Sequence, residues 1–178
     1  MRHGQYIEFF ETCAREHKDI LHKDEKHAFA TIIESAPNPF KGTHDIEDFL
    51  AKIRTKGKFP MLLLVSFEAD YNVEEDISAF KIINGSFVVL DIPTDKKKYT
   101  DINIAIDKTE RIGEDILNRL HYWASENECT LVYNEATASE KIGPIADDFY
   151  GTKFYFKILA NAMHLLRPNI NDSSIWDI

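Results

Sequence analysis

An α+β architecture follows from three features of this 178-residue sequence. Residues 102–124 repeat their apolar positions at the helical period over about six turns. The runs 61–67 and 87–92 are nearly continuous in apolar residues, as strands covered on both faces are. Residues 151–158 alternate, with Phe154, Phe156 and Ile158 on one side and Lys153, Tyr155 and Lys157 on the other. That alternation is the mark of a half-exposed antiparallel strand. The expected domain is a small, mainly antiparallel sheet with one long helix packed across it, preceded by an N-terminal helix. It spans residues 1–158, with residues 159–178 as a C-terminal tail.

The chain starts on an amphipathic helix. Tyr6, Phe9, Phe10, Cys13, Ala14, His17, Ile20 and Leu21 share one face at three- and four-residue spacing. The polar stretch 22–26 ends it. In residues 28–33 a short strand competes with further helix. Residues 35–42 hold Pro37, Pro39 and Gly42 and form a loop. Thr43 or Asp45 then caps a short helix with Ile46, Phe49, Leu50 and Ile53 as its stripe. Pro60 opens the first buried strand. Residues 70–76 read as an acidic loop. Asn84-Gly85 is the strongest short hairpin signal, flanked by 77–83 and 87–92.

The charged connection 95–98 leads into the long helix, whose apolar stripe includes Gly113. A glycine there costs about 1 kcal/mol of helix propensity, so it is read as a point of close strand approach. A strand at 129–133, a loop of small and polar residues at 136–143 and the strand at 151–158 follow. Trp176 and Ile178 lie at the end of the tail.

Composition excludes several function classes. Lysine plus arginine number 21 against 30 acidic residues, a net charge of −9. Phosphate-backbone affinity comes from cations that displace counterions, so an acidic chain is a poor nucleic-acid coat. The same charge argues against anionic membrane surfaces. The apolar runs fall short of the roughly 20 residues that cross a bilayer. Met1 to Tyr6 leads into a charged amphipathic stretch without a signal-peptide core. Cys13 and Cys129 make neither a disulfide framework nor a zinc site. One bridge between them is open, and free thiols are the cytosolic expectation.

The catalytic motifs are weak. His17, His22 and His27 recur every five residues, which spreads their rings around a helix instead of converging them on a metal. There is no nucleophile elbow, P-loop or dinucleotide glycine fingerprint. Glu68, Asp70, Glu74, Glu75, Asp76, Asp91 and Asp95 are carboxylates of the type that hold magnesium in nucleases, with Glu68 and Asp91 at two strand ends. The Glu-x-Lys expected on the partner strand is missing. A solvated acidic loop is the plainer reading.

Four segments carry a likeness to a known family: Lys58-Phe59-Pro60-Met61-Leu62, Phe87-Val88-Val89-Leu90-Asp91, Ile112-Gly113-Glu114-Asp115-Ile116-Leu117, and residues 140–156 from Glu140-Lys141-Ile142-Gly143-Pro144 to Phe154-Tyr155-Phe156. Over roughly residues 45–158 the chain resembles tail-terminator or tail-completion (neck) proteins of phages and prophages of Bacteroidetes-type bacteria. The resemblance implies an α+β subunit without active site or cofactor. It implies a ring, often a hexamer, that caps the tail tube and docks the head connector, in a virion assembled in the bacterial cytoplasm. DNA would pass through without specific binding, repelled by the chain's acidic residues where these line the lumen. The N-terminal helix and the tail are longer than the resemblance covers.

On this reading the residues of interest are contact residues: Lys96, Lys97 and Lys98 in the charged connection, Lys141, Phe149 and Tyr150 in and beside the 135–149 loop, and Trp176 in the tail. A 15-residue loop is long for a structureless connection and suits an assembly arm. The 151–158 strand suits a sheet edge that pairs with a neighbour. Two other classes stay in play, a small metal-dependent nuclease and an intracellular adaptor domain.

Overall fold

The computed structural model describes residues 1–23, 25–32, 57–74, 78–132, 138–145 and 148–162. In chain order the described elements are α1 (His3–Glu16), β1 (His27–Ile32), β2 (Gly57–Glu74), β3 (Ser78–Asp91), α2 (Tyr99–Glu126), β4 (Cys129–Val132), β5 (Ala138–Ile145) and β6 (Phe149–Asn161). Helix and strand thus combine around one six-stranded sheet, ordered β1-β2-β3-β6-β4, with β5 also on β6. Among the described residues β1 and β2 run parallel and the other pairings are antiparallel. No helix among the described residues is long and apolar enough to cross a membrane.

Both helices bury their stripes on the same face of the sheet. Tyr6, Phe10, Cys13 and Ala14 of α1 join Ile112, Ile116, Leu120 and Ala124 of α2 in one core. Beneath them lie Leu62, Leu64, Phe87, Val89, Phe154 and Phe156. The rings interlock: Phe87 stacks on Phe154 at 5.1 Å and 14°, and Phe10 on Phe156 at 5.7 Å and 27°. Offset stacking of this kind adds about 1 kcal/mol per pair beyond burial. Met61, Leu63, Val88, Leu90 and Phe149 form a second cluster on the opposite face. The alternation of Met61, Leu62, Leu63 and Leu64 between the two clusters explains why 61–67 is apolar throughout.

Gly113 performs the close approach expected of it. A Cβ there would fall inside the Phe154 ring, so α2 rests directly on β6. The ambiguous stretch resolves in favour of the strand over residues 28–32, and Ile33 lies outside the described residues. The N-terminal helix stops at Glu16, one turn short of Leu21, because His17 turns to an extended conformation (φ −69°, ψ 124°). Ile20 still reaches the core from the turn that follows.

Four expectations are corrected. Asn84-Gly85 makes no turn; β3 runs straight through it. Gly85 pairs with Phe156, and a Cβ there would collide with the Phe156 ring and lie 3.0 Å from Tyr6 Oη. The glycine answers a ring that crosses it, as strand glycines often do. Residues 70–74 are strand and not loop, and the β2–β3 ladder extends to the pair Glu74↔Ser78. Residues 138–143 belong to β5, a strand where small and polar residues suggested a loop. Finally, β6 is no edge. It lies between β3 on one side and β5 and β4 on the other, and its lysines stand on a half-buried face of an interior strand.

β6 also runs to Asn161, and the Ala162 N–H donates to Ala79 O, so the strand passes the expected boundary at 158. The proline loop, the short helix at 43–53, most of the 159–178 tail and Trp176 lie outside the described residues.

A bulge divides the sheet lengthwise. Register on β3 shifts between Val65 and Glu68, where Ser66 and Phe67 face Gly85. The extra residue turns Phe67 toward α1, where it meets Tyr6 edge-on at 4.9 Å. The Tyr6 hydroxyl donates to Val65 O at 2.9 Å, fixing α1 to the bulge.

Candidate functional site

Four of the seven contact residues named from sequence meet at one end of the sheet, where β3 ends, β6 begins and α2 passes over. Tyr150 pairs with Asp91 in register. Phe149 is fully buried, stacked on Phe59 at 4.8 Å, which corrects its reading as a contact residue. Lys96 is ion-paired to Asp148, and Lys141 to Glu110 of α2. Lys97 and Lys98 remain exposed on the connection, where Asp95 organises the turn. Its carboxylate accepts the Lys97 N–H at 3.0 Å and lies 3.7 Å from Lys98 Nζ.

Of the residues that hold this corner together, Asp91 stands out in the sequence as a strand-end carboxylate, while Lys108, Asp148, Thr109 and Thr152 carry no functional signal there. Asp91, 7% exposed, accepts the Lys108 ammonium at 2.7 Å and the Ile92 N–H at 2.9 Å. Asp148 is equally buried at 7% beside Lys96. A buried carboxylate survives only with a cation and hydrogen bonds to match it. Thr109 and Thr152 are wholly buried with their oxygens 3.1 Å apart. Thr109 donates to Ile106 O, so Thr152 supplies the proton between the two hydroxyls. Among the described residues no buried side-chain nitrogen or oxygen lacks a partner. The corner is therefore internally balanced, and Lys96, Lys108 and Lys141 act inward as latches on Asp148, Asp91 and Glu110.

Of the carboxylates considered for a metal, Glu75 and Asp76 lie outside the described residues, and the two at strand ends, Glu68 and Asp91, are far apart. Glu68 pairs across from Asn84, seven residues along β3 from Asp91, or roughly 23 Å at strand rise. Among the described residues no three His, Cys, Asp or Glu side chains converge. Cys13 and Cys129 are free thiols. Burial pushes the Cys13 thiol up to about 12, opposite to what a nucleophile needs. His17 accepts the Asp19 N–H on Nδ1 at 3.2 Å and points Nε2 at Asp115 Oδ2 at 3.3 Å, so both ring nitrogens are engaged.

A groove runs between the two helices, which lie antiparallel. Three ion pairs bridge it: Arg119–Glu16 at 2.6 Å, Arg111–Asp19 at 2.8 Å and His17–Asp115. The hydrogen bond from Arg111 holds the Asp19 carboxyl below its ordinary value. One stretch of the groove, about 340 Å³, includes Cys13, His17 and Asp115 in its walls; the next, about 470 Å³, includes Phe9, Tyr122 and Trp123. Arg119 lines both. On the outer side of α2, Ile104 (65% exposed) and Tyr122 (67%) lie five full turns apart and so on one line, with Tyr99 (77%) at the helix start.

No family model matches the chain, and no curated protein matches it.

Proposed function

We propose that this chain is a structural subunit of a phage-like particle, in the tail-terminator or neck position. It forms a ring, of six copies in the form the resemblance implies, that caps the tail tube and docks the head connector. The reading rests on the sequence resemblance, and a mainly antiparallel sheet with a long helix across one face is the fold which that resemblance implies. One observation carries it further. The outward line of α2 presents Ile104 and Tyr122 to solvent, with Tyr99 exposed at the helix start, although the same helix has a complete apolar stripe on its inner side. Large side chains exposed on one line of a helix suit a protein partner, and tyrosine is favoured at such contacts. On this reading the exposed Lys97 and Lys98 set the orientation of docking more than its strength. The virion neck is the location, reached after assembly in the bacterial cytoplasm, with DNA passing the lumen unbound.

Light scattering coupled to size exclusion, with negative-stain microscopy of the same fractions, tests this. The expected result is closed rings, or a mass that rises with concentration. Ile104→Asp is expected to reduce attachment to purified tail tubes or connectors at least several-fold while the melting temperature stays within about 2 °C, since the side chain is exposed. Magnesium-dependent cleavage of plasmid DNA by a single-chain species, abolished by Asp91→Ala, would overturn the reading in favour of a nuclease.

A further inference from the structure

Among the described residues the sheet is open, and its two outer strands run in opposite directions. Register carries each residue of one side across to the other. Phe29, Ala30, Thr31 and Ile32 of β1 share rows with Lys141, Glu140, Ser139 and Ala138 of β5, through Leu62–Val65, Val89–Ser86 and Thr152–Tyr155. β1 is parallel to β2, and each later step across the sheet reverses direction, so β1 and β5 are antiparallel to each other. Among the described residues β1 pairs with β2 alone and β5 with β6 alone. Each therefore turns one row of amides and carbonyls outward.

We propose that β5 of one copy pairs antiparallel with β1 of the next, so that the sheet continues from subunit to subunit. This rests on the ring reading above and names its contact. Four observations select a second copy as the occupant. The outer strands already have the relative direction that an antiparallel ladder needs when one copy is set beside another. They are also matched in length and level. On β5 the register shifts between Ile142 and Ile145, around Pro144, so the regular ladder covers residues 138–142; on β1 it shifts between His27 and Phe29, so the regular run is residues 29–32, in the rows of residues 138–141. Sequence supplies the third. Residues 28–32 are Ala-Phe-Ala-Thr-Ile, without the charge or proline that natural edges use to repel neighbours. On β5, Ala138, Ser139, Glu140 and Lys141 are all exposed.

The fourth is facial consistency. Thr31 and Ser139 stand in the row of Leu64, Phe87 and Phe154, which belong to the helix-side core. Joining rows in this register keeps every subunit's helices on the same side of the extended sheet. The contact uses two different surfaces of each copy, which is the heterologous type that closes into rings or grows into filaments.

The test uses the full chain with Cys129→Ser, leaving the buried Cys13 in place. Thr31→Cys and Ser139→Cys are expressed separately and together, treated with a short bifunctional maleimide, and sized by light scattering. The expected result is an assembly that yields covalent dimers several-fold more abundantly in the co-expressed pair than in either variant alone. Equal linking of Thr31→Cys to itself would mean a two-fold contact and would overturn the proposal. An assembly with no linkage would overturn it too, while leaving the ring reading standing. A single-chain mass at every concentration would overturn both.

Discussion

The two ends of the sheet handle charge in opposite ways. At the end where β3 leaves and β6 enters, Asp91 and Asp148 are buried and each is matched by a lysine from another segment. Past the bulge, on the β2–β3 ladder, Glu68, Asp70 and Asn72 are exposed, and the Asn84–Asp70 hydrogen bond of 3.1 Å lies in water. The first end spends its polar groups on holding α2, β5 and β6 together. The second leaves them solvated, where they contribute little to stability and are free to vary. Rigidity is thus concentrated at one end, while the surfaces suited to partners lie along the open sides and on the outer line of α2.

Breaking the closed end has the largest expected effect at Gly151. A Cβ at that position would collide with the Val89 carbonyl oxygen and lie 2.9 Å from Leu90 Cδ2. The obstacle is the backbone of β3, which cannot swing aside as a side chain does. Gly151→Ala is expected to cost about 3 kcal/mol, the upper part of the overpacking range, read as a fall in the urea midpoint. A loss under about 1 kcal/mol would show that the two strands separate easily and that this end is not the rigid one.

Lys108→Met sharpens the contrast directly. It leaves the Asp91 carboxylate, 10% exposed, without its cation. Removing one partner of a buried pair costs about 3–5 kcal/mol. Lys108 is itself 37% exposed, so water softens the loss to about 2 kcal/mol. Asp70→Ala at the other end is expected to cost under about 0.5 kcal/mol, as exposed substitutions do. Equal effects at the two ends would erase the distinction. Asp91→Asn on top of Lys108→Met is expected to recover part of the loss, because the stranded charge is then gone.

How much of this was legible in sequence depends on the range of the interaction. The long helix was readable because its period is local, and Gly113 stood out because a glycine inside an apolar stripe needs a reason. The parity of Met61 to Leu64 was readable as a strand covered on both faces. Asn84-Gly85 misled because the dipeptide's turn preference is local while the Phe156 ring that occupies its space comes from 71 residues later. β5 was hidden for a related reason: Ala138, Ser139, Glu140 and Lys141 have no apolar alternation, and their strand exists because β6 offers a ladder. Lys96 and Lys141 were found as lysines but not as latches. Their partners, Asp148 and Glu110, are assigned by the fold, and no spacing rule links them.

Tyr6 sits at the bulge between the two ends, and the loss of its hydroxyl is a smaller and more specific effect than either loss at the closed end. Its hydroxyl donates to Val65 O at the bulge, and burial pushes the phenol well above its usual range, only partly opposed by a hydrogen bond with the Ser86 backbone. The folded-state value lies above the unfolded one, so this group's stabilising contribution is complete below about pH 10 and declines as pH rises beyond it. Tyr6→Phe leaves Val65 O without its donor and is expected to cost about 1 kcal/mol at neutral pH. The same change removes the ionisation, so the variant's urea midpoint should fall less than the parent's between neutral pH and about pH 10.5. Parallel falls in both proteins would assign the alkaline loss to other groups, and would leave the hydroxyl as a hydrogen-bond donor with no part in the pH response.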